Sequence, residues 1–326
     1  MHPLDLTIIV LYLLGLAYVG CWLLRKGSLE EFLVNGRKTK FFLLIFTIIS
    51  SNVGIGTFLG FSSTAFETGI SYGLSGFLGV FIGWIVVAKF APRIKKFGDE
   101  HKAHTIGDFF GIRYSKHNRL IVSLIILISC FLLEALQFVG IAGLLQVLVG
   151  VNFKIIMFIS SFVVIMYATV AGLRSNFYTD IIHFWVIVIV LFFVLLPVGL
   201  FNAGGIKIIS SLPARYFNPF AFGGPGFFIG ALIFCIPVLL LSMEVWQRIY
   251  ASSTEKEARR VFIWAAIVNV LFIIPPIVLG LIATKVVPSS RPDFALFELM
   301  KVMLPPGLFG LGIAGVIAAG LGTLKV

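Results

Sequence analysis

Charged residues are scarce in this chain of 326 residues: 12% are Asp, Glu, Lys or Arg, while 59% are hydrophobic. A soluble domain carries roughly 25% charged residues, so the composition excludes a water-soluble globular protein. The mean hydropathy of +1.07 is typical of a protein that crosses the membrane several times. The net charge of +11 is therefore interpreted by its position relative to the membrane spans, and it does not indicate nucleic-acid binding.

Cysteine is also rare, and the common catalytic motifs are missing. Cys21, Cys130 and Cys235 all lie in apolar runs, with no disulfide or zinc-ligand spacing. The sequence contains no HExxH, GxSxG, Walker A or CxxC motif. Without these motifs, nothing in the sequence indicates a hydrolase or a redox enzyme. We therefore expect that the protein is not an enzyme.

The apolar runs predict an all-helical integral membrane protein in the lipid bilayer. They show no alternation of period two, and lipid cannot satisfy exposed backbone groups. No basic residue precedes the first run, which therefore predicts a membrane helix and not a cleaved signal. Nine runs are predicted, at about 5–24, 41–66, 72–92, 118–148, 153–171, 178–201, 226–246, 261–283 and 306–324. Short loops make 1–326 a single transmembrane domain.

The basic residues predict which loops face the cytoplasm. Of the 25 lysines and arginines, eighteen fall on one side of the predicted spans, in 25–40, 89–119, Arg174 and 248–260. Six fall on the other side, and Lys325 ends the last run. Because cytoplasmic loops are rich in Lys and Arg, we expect the N-terminus to lie outside. Thr105 or Asp108 is the expected cap of a short helix at 104–110, and another short helix is expected within 203–225.

The second run contains a stretch that is unsuited to a plain apolar helix. Ser50, Ser51 and Asn52 are followed by Gly54, Gly56 and Gly60, with Thr57 between them. Glycine weakens a helix by about 1 kcal/mol relative to alanine. Broken backbone in the membrane is tolerated only where it is buried in protein or lines a cavity, as in secondary transporters. This stretch predicts an ion site at an interrupted helix, although small residues also permit close helix packing.

Acidic residues within the spans are the next candidates. An acidic residue at a helix centre costs about 2.5–3.5 kcal/mol on insertion scales. Glu134, near the middle of the fourth run, is either a protonated packing residue or an ion or substrate contact. Asp180 opens the sixth run, where an acid also complements the helix dipole. Glu67 and Glu244 end runs and are expected in interfacial water, and His183 is expected to be a hydrogen-bonded structural residue.

Proline marks a second interruption. Pro237 lies inside the seventh run, where proline removes an intrahelical hydrogen bond. If the first run is a leading helix, the second and seventh runs are core helices one and six. That spacing is expected of the two broken helices of an inverted-repeat transporter.

Three segments resemble the sodium/solute symporter family, which includes carriers of glucose, proline and pantothenate. They are SSNVGIGTFLG at 50–60, YATVAGLRSNFYTD at 167–180 and VWQRIYASSTEKEARR at 245–260. The resemblance implies a leucine-transporter-like fold of five plus five inverted helices. It places the leading helix at 5–24, the first repeat at about 41–201 and a partial second repeat at about 226–324. The chain then ends after core helix eight, so a separately encoded C-terminal part is a further expectation.

The family's common sodium site also transfers by position. The resemblance implies carbonyl ligands at Ser50, Val53 and Ala319. The paired hydroxyls fall on Gly322 and Thr323, so only Thr323 keeps a side-chain oxygen. The lost hydroxyl weakens the site unless water or Ser50 and Ser51 replace it. Asn52, Gly56, Thr57, Glu134 and Asp180 are expected to contact the substrate or to couple it to sodium. The positions that bind sugar in the family fall on Thr57, Gly76, Cys235 and Val238, so the substrate is not expected to be a sugar.

The sequence therefore predicts sodium-coupled symport of a small organic solute across the inner or plasma membrane by alternating access. Two alternatives remain open. The first is a proton-coupled carrier of a related inverted-repeat family, with Glu134 as the proton site. The second is a truncated remnant or assembly subunit that transports nothing by itself.

Overall fold

The computed structural model describes residues 2–22, 29–150, 152–288 and 290–324, with the side chains of 20–22, 29, 32, 149, 160 and 163–175 left undescribed. Arg25, Lys26 and Lys325 lie outside the described residues, and the side chains of Cys21, of 171–173 and of Arg174 are not described. The α-helices are α1 (Pro3–Trp22), α2 (Leu29–Val34), α3 (Phe41–Asn52), α4 (Ile55–Thr68), α5 (Ile70–His101), α6 (Ile106–Arg113), α7 (Lys116–Val149), α8 (Phe153–Val188), α9 (Leu196–Asn202), α10 (Lys207–Ser210), α11 (Gly224–Leu240), α12 (Met243–Ala251), α13 (Glu255–Val286), α14 (Ala295–Met303) and α15 (Leu308–Thr323).

Shorter helical turns connect these elements. Three are 3-10 turns, Asn35–Arg37, Ala214–Phe217 and Pro292–Phe294, and Ile189–Leu195 is a π-helix that joins α8 to α9. The described ranges contain no strand; one isolated bridge joins Thr39 and Ser252. The predicted all-helical class is thus confirmed. By length and composition, α5, α7, Asn176–Asn202 and α13 can each cross a membrane, and two bent helix pairs add two further spans.

The second predicted span is broken where the glycines predicted a break. Helices α3 and α4 meet at an angle of 50°. Val53 (φ −88°, ψ 73°) and Gly54 (φ −89°, ψ −174°) leave helical geometry, and the next helix begins at Ile55. The span is therefore two half-helices joined by two non-helical residues, of which Gly54 is extended.

The seventh predicted span is also broken, but not at Pro237. Helix α11 continues through Pro237 to Leu240, and the bend of 48° to α12 follows at Leu241 and Ser242. The indole of Trp246 donates to the Leu240 carbonyl at 2.7 Å and so satisfies an acceptor that the break has freed. Proline weakens this helix one turn before the bend, and the tertiary contact of Trp246 fixes where the bend occurs.

The boundary predicted between the fifth and sixth runs is not seen. Helix α8 continues across it from Phe153 to Val188. Its 36 residues correspond to about 54 Å, which exceeds a hydrocarbon core of about 30 Å. Between residues 153 and 188 the sequence contains one glycine, Gly172, and no proline. A single glycine costs only about 1 kcal/mol, which is too little to end a long apolar helix.

The two predicted short helices are present. Thr105 and Asp108 form a reciprocal capping box at the start of α6, with Asp108 N to Thr105 Oγ1 and Thr105 N to Asp108 Oδ2 both at 3.0 Å. The segment 203–225 holds α10 and the turn Ala214–Phe217. Gly69 (φ +80°) makes the tight turn between α4 and α5 and lies against the backbone of Tyr216, so this segment packs on the same end of the bundle.

Burial separates the central helices from the peripheral ones. In the apolar window of α13, 67% of the residues are buried, whereas 6% are buried in that of α7. Helix α13 packs on α3, α4 and α5, and α15 crosses the broken span beside α7 and α8. The broken helix α3–α4 therefore lies inside the protein, with α15 on one side and α7 on another.

Several basic segments meet at one end of the bundle. Lys95 Nζ donates to Asp99 Oδ1 at 2.7 Å and to the Tyr250 carbonyl at 3.1 Å. Arg37 Nη1 contacts the same carboxylate at 3.2 Å, and Thr39 N donates to the Ala251 carbonyl at 3.0 Å. The segments that were assigned to one side by their charge are thus joined by hydrogen bonds.

The leading helix is fixed to α15 by a carboxylate. Asp5 Oδ1 accepts from Gly307 N at 2.7 Å and from Gly310 N at 2.8 Å, and Asp5 is buried. Gly310 allows this approach, because a Cβ atom there would lie 2.4 Å from the Asp5 Cα. Tyr12 on α1 also hydrogen-bonds His183 Nδ1 at 2.6 Å, which confirms the structural histidine.

Candidate functional site

The break between α3 and α4 frees backbone groups in the protein interior. In a continuous helix the Ile55 amide would bond the Ser51 carbonyl, and the Thr57 amide would bond the Val53 carbonyl. Thr57 N bonds instead to the Gly54 carbonyl at 3.0 Å. Within the described residues no backbone bond joins Gly54 N to the Ser50 carbonyl. The carbonyls at Ser50, Ser51 and Val53 are therefore released from the helical ladder.

The freed amide of Ile55 is satisfied by a side chain from α7. Gln137 Oε1 accepts from Ile55 N at 2.9 Å, and Gln137 is 6% exposed. This glutamine takes the place of a helix N-cap, since Gly54 has no side chain to provide one. Gln137 is not among the site residues predicted from the sequence. An amide side chain one turn after Glu134 in an apolar run was the available signal.

Helix α15 places oxygen atoms directly opposite the break. A Cβ atom on Gly54 would lie 2.6 Å from Thr323 Oγ1 and 2.9 Å from Gln137 Oε1. Thr323 Oγ1 is also 3.1 Å from the Ala319 carbonyl, to which it donates. Gly322 faces Ser50, and all three of Ser50, Val53 and Ala319 are buried. The four residues expected to bind sodium thus lie around one point, where α15 crosses the broken span.

The chemistry of this point suits a hard cation. The groups that converge there are carbonyls and hydroxyls, which are the oxygen ligands that hard cations prefer. The hydroxyl of Ser50 is buried and has no hydrogen-bond partner. An unsatisfied buried hydroxyl costs roughly 1–3 kcal/mol, and a bound cation would remove that cost.

A charged cluster adjoins the break on its other side. Arg248 on α12 is buried and donates to Ser51 Oγ and to the Glu244 carbonyl, the latter at 3.3 Å. Its Nη2 lies 4.0 Å from Asp180 Oδ2, which is also buried. The Asn52 side chain lies beside the Glu244 carboxylate. The structure therefore groups Asp180 with Arg248 next to Ser51, and it draws Glu244 into the same cluster.

The two other span-end acids have different surroundings. Glu67 is exposed, as expected for an interfacial residue. The expectation of interfacial water was wrong for Glu244, which is half-buried beside Asn52. The physical reason is the bend after Leu240, which turns α12 back toward the first break. That bend could not be located from Pro237 alone.

The remaining predicted site residues lie beside the break. Gly56 is exposed and has no atom within 4 Å of where a Cβ would be. Asn52 and Thr57 are half-buried, and Thr57 Oγ1 donates to the Asn52 carbonyl at 3.4 Å. Glu134 is half-buried on α7, and both it and Glu244 lie near Cys130. Glu134 and Gln137 are three residues apart on one helix, so they share a face.

Comparison with known proteins decides the family. The profile described as "Sodium:solute symporter family" matches residues 32–326. The chain belongs to the sodium:solute symporter family. Its members are transporters and not enzymes, as the absence of catalytic motifs had predicted.

Individual relatives are distant in sequence, but their matches cover most of this chain. The sodium/pantothenate symporter of Haemophilus influenzae is 24% identical over 98% of the chain, and an uncharacterized symporter of Bacillus subtilis, YodF, is 28% identical over 85%. The chain spans 68% of the length of the first relative and 57% of the second.

A solved structure establishes the fold. A sodium-coupled sialic acid symporter, in a substrate-bound outward-open state, matches 99% of this chain with a TM-score of 0.87 at 17% identity. The match covers 71% of that chain. The expected leucine-transporter-like fold is thereby confirmed.

Proposed function

We propose that this chain carries a small organic solute across the membrane together with sodium, by alternating access. The observation that carries the proposal is the broken span α3–α4 with Thr323 facing it. A discontinuous helix whose freed carbonyls face a neighbouring helix is how secondary transporters hold a coupling cation. The family to which the chain belongs supports the same assignment.

In this proposal, sodium binds between the break and α15. The carbonyls of Ser50, Val53 and Ala319 and the hydroxyl of Thr323 are its ligands. Gln137 fixes the second half-helix by holding the Ile55 amide, so the carbonyls are presented by rigid backbone. Rocking of the surrounding helices then opens the site to alternate sides of the membrane.

The solute binds beside the break, along Asn52, Gly56 and Thr57. The open space at Gly56 supports this placement. Asp180 and Glu134 are proposed to couple the solute to the cation. A sugar is disfavoured, because the sugar-binding residues of the family are replaced at Thr57, Gly76, Cys235 and Val238.

The membrane potential provides the driving force. Moving one charge inward through 100 mV releases about 2.3 kcal/mol, which supports roughly fifty-fold accumulation of a neutral solute per coupled sodium. Because this potential exists across the inner or plasma membrane, we propose that the protein lies there, with its N-terminus outside. The one-sided distribution of basic residues supports that orientation.

A separately encoded C-terminal part is proposed as a partner. Support comes from the length of the relatives, since the chain spans only 57–68% of the two named above.

The test is reconstitution into liposomes with an imposed sodium gradient, a proton gradient or a potassium gradient of equal size. Uptake is screened over radiolabelled amino acids, carboxylates and nucleosides, with the purified chain alone and together with any adjacent coding sequence. Uptake driven only by sodium supports the proposal. Uptake driven by protons favours a proton-coupled carrier, and no uptake under any condition favours a subunit without transport of its own.

A further inference from the structure

Ser50 is an unusual buried serine. A serine or threonine inside a helix ordinarily bonds the carbonyl one turn earlier, as Ser62 does with Phe58 O at 2.6 Å and Thr64 does with Gly60 O at 2.6 Å. Ser50 is 0% exposed, yet its Oγ has no hydrogen-bond partner. Its hydroxyl is therefore buried at the break and uncommitted.

The residue that faces this hydroxyl has no side chain. A Cβ atom on Gly322 would lie 2.6 Å from Ser50 Oγ and 2.8 Å from the Ser50 carbonyl. The Ser50 hydroxyl thus occupies the space into which a side chain at 322 would project. The next residue of α15, Thr323, directs its own hydroxyl toward Gly54, so both hydroxyls lie where α15 contacts the broken span.

Ser51 cannot take the same role. Its Oγ already accepts a hydrogen bond from the buried guanidinium of Arg248. Of the two serines at the end of α3, only Ser50 has a free hydroxyl on the side of Gly322.

We propose that the hydroxyl of Ser50, and not only its carbonyl, binds the coupling sodium ion, replacing the side-chain oxygen that Gly322 lacks. The inference rests on the proposed function. It assigns a side-chain ligand to α3, so that the sodium site takes one hydroxyl from each of the two contacting helices. The same geometry explains the glycine at 322: a larger residue there would displace the hydroxyl.

The experiment measures sodium binding without solute, by the full-length protein in detergent. Two quantities are recorded. The first is the binding of radioactive sodium, measured by scintillation proximity. The second is the difference in melting temperature between sodium chloride and potassium chloride. The variants are Ser50→Ala, Ser50→Cys, which keeps the shape but presents sulfur, and Ser62→Ala as a matched control on the same broken span. Ser62 is equally buried, but its hydroxyl is already bonded within α4.

Ser50→Ala and Ser50→Cys are each expected to raise the half-saturating sodium concentration at least tenfold, whereas Ser62→Ala changes it less than twofold. In potassium chloride, Ser50→Ala melts no lower than the parent, because it removes an unsatisfied buried group. Weaker sodium binding without loss of stability separates a ligand from a packing residue.

Two results overturn the inference in distinguishable ways. If the parent binds sodium and Ser50→Ala binds it within twofold of the parent, the hydroxyl is not a ligand and the proposed symport is unaffected. If the parent shows no sodium binding above the potassium control, the proposed function fails together with this inference.

Discussion

At the scale of single residues, Gln137 determines whether the broken helix can exist. Its Oε1 is the acceptor for the Ile55 amide, and the helix start at Gly54 has no side-chain cap of its own. In lipid a freed amide has no water to bond. A glutamine on a separate helix therefore stabilises the interruption inside the membrane by accepting the hydrogen bond of the freed amide.

Replacing Gln137 with alanine is expected to destabilise the protein by about 1–3 kcal/mol, the cost of an unsatisfied buried amide. It is also expected to weaken sodium binding, because the second half-helix loses its anchor. Thermal unfolding in potassium chloride and sodium titration measure the two effects. Gln146→Ala is the control, since Gln146 is exposed on the same helix. Equal melting temperatures of the two variants would contradict the capping role.

The residues of the site were predictable to different degrees. Ser50, Val53, Ala319 and Thr323 followed from resemblance, and the structure brings them to one contact; their roles as ligands stay a prediction. Gln137 and Glu244 were missed because their partners lie on other helices. A sequence shows a polar residue in an apolar run, but it does not show which backbone group that residue satisfies.

At the scale of elements, the two broken spans have different causes. The first break falls at a glycine, so the sequence predicted its position closely. The second falls after Pro237, where Trp246 takes the Leu240 carbonyl, and a tertiary contact of this kind is not visible in a local pattern. The continuous helix α8 shows the converse, because the boundary predicted between 171 and 178 does not interrupt it.

Gly54 and Gly60 make a matched pair on the first broken span. Alanine at Gly54 would place its Cβ 2.6 Å from Thr323 Oγ1 and 2.9 Å from Gln137 Oε1, so Gly54→Ala is expected to lower the melting temperature and to weaken sodium binding. Gly60 has no atom within 4 Å of a Cβ. Gly60→Ala is expected to be neutral or to stabilise by up to about 1 kcal/mol through helix propensity. Thermal unfolding of both variants checks this, and a neutral Gly54→Ala would disprove the close approach of α15.

At the scale of the whole molecule, composition and hydropathy were sufficient for the class and for most of the helices. Charge distribution gave an orientation, which stays a prediction. Arg37 and Lys95 both contact Asp99, and Lys95 also donates to the Tyr250 carbonyl. These contacts hold three basic segments together at one end of the bundle. The positive-inside pattern requires basic segments to lie on the same side of the membrane.

Single cysteines test the orientation in intact cells. In a background with Cys21, Cys130 and Cys235 replaced, Lys207→Cys is expected to react with a membrane-impermeant maleimide. Lys256→Cys is expected to react only after permeabilisation, because it lies in the basic segment 248–260. Both positions are exposed, so access by water and not burial decides the labelling. The reverse pattern would place the N-terminus in the cytoplasm.

The carboxylate of Asp5 has a consequence for biogenesis. It joins α1 to the start of α15 across 305 positions of the chain, so α1 enters the membrane long before its partner has been synthesised. Until α15 leaves the ribosome, the Asp5 carboxylate lacks the amides of Gly307 and Gly310 and has only the amide of His2, at 3.2 Å, near it in sequence. The contact that holds α1 against α15 therefore forms late, only after α15 has been synthesised.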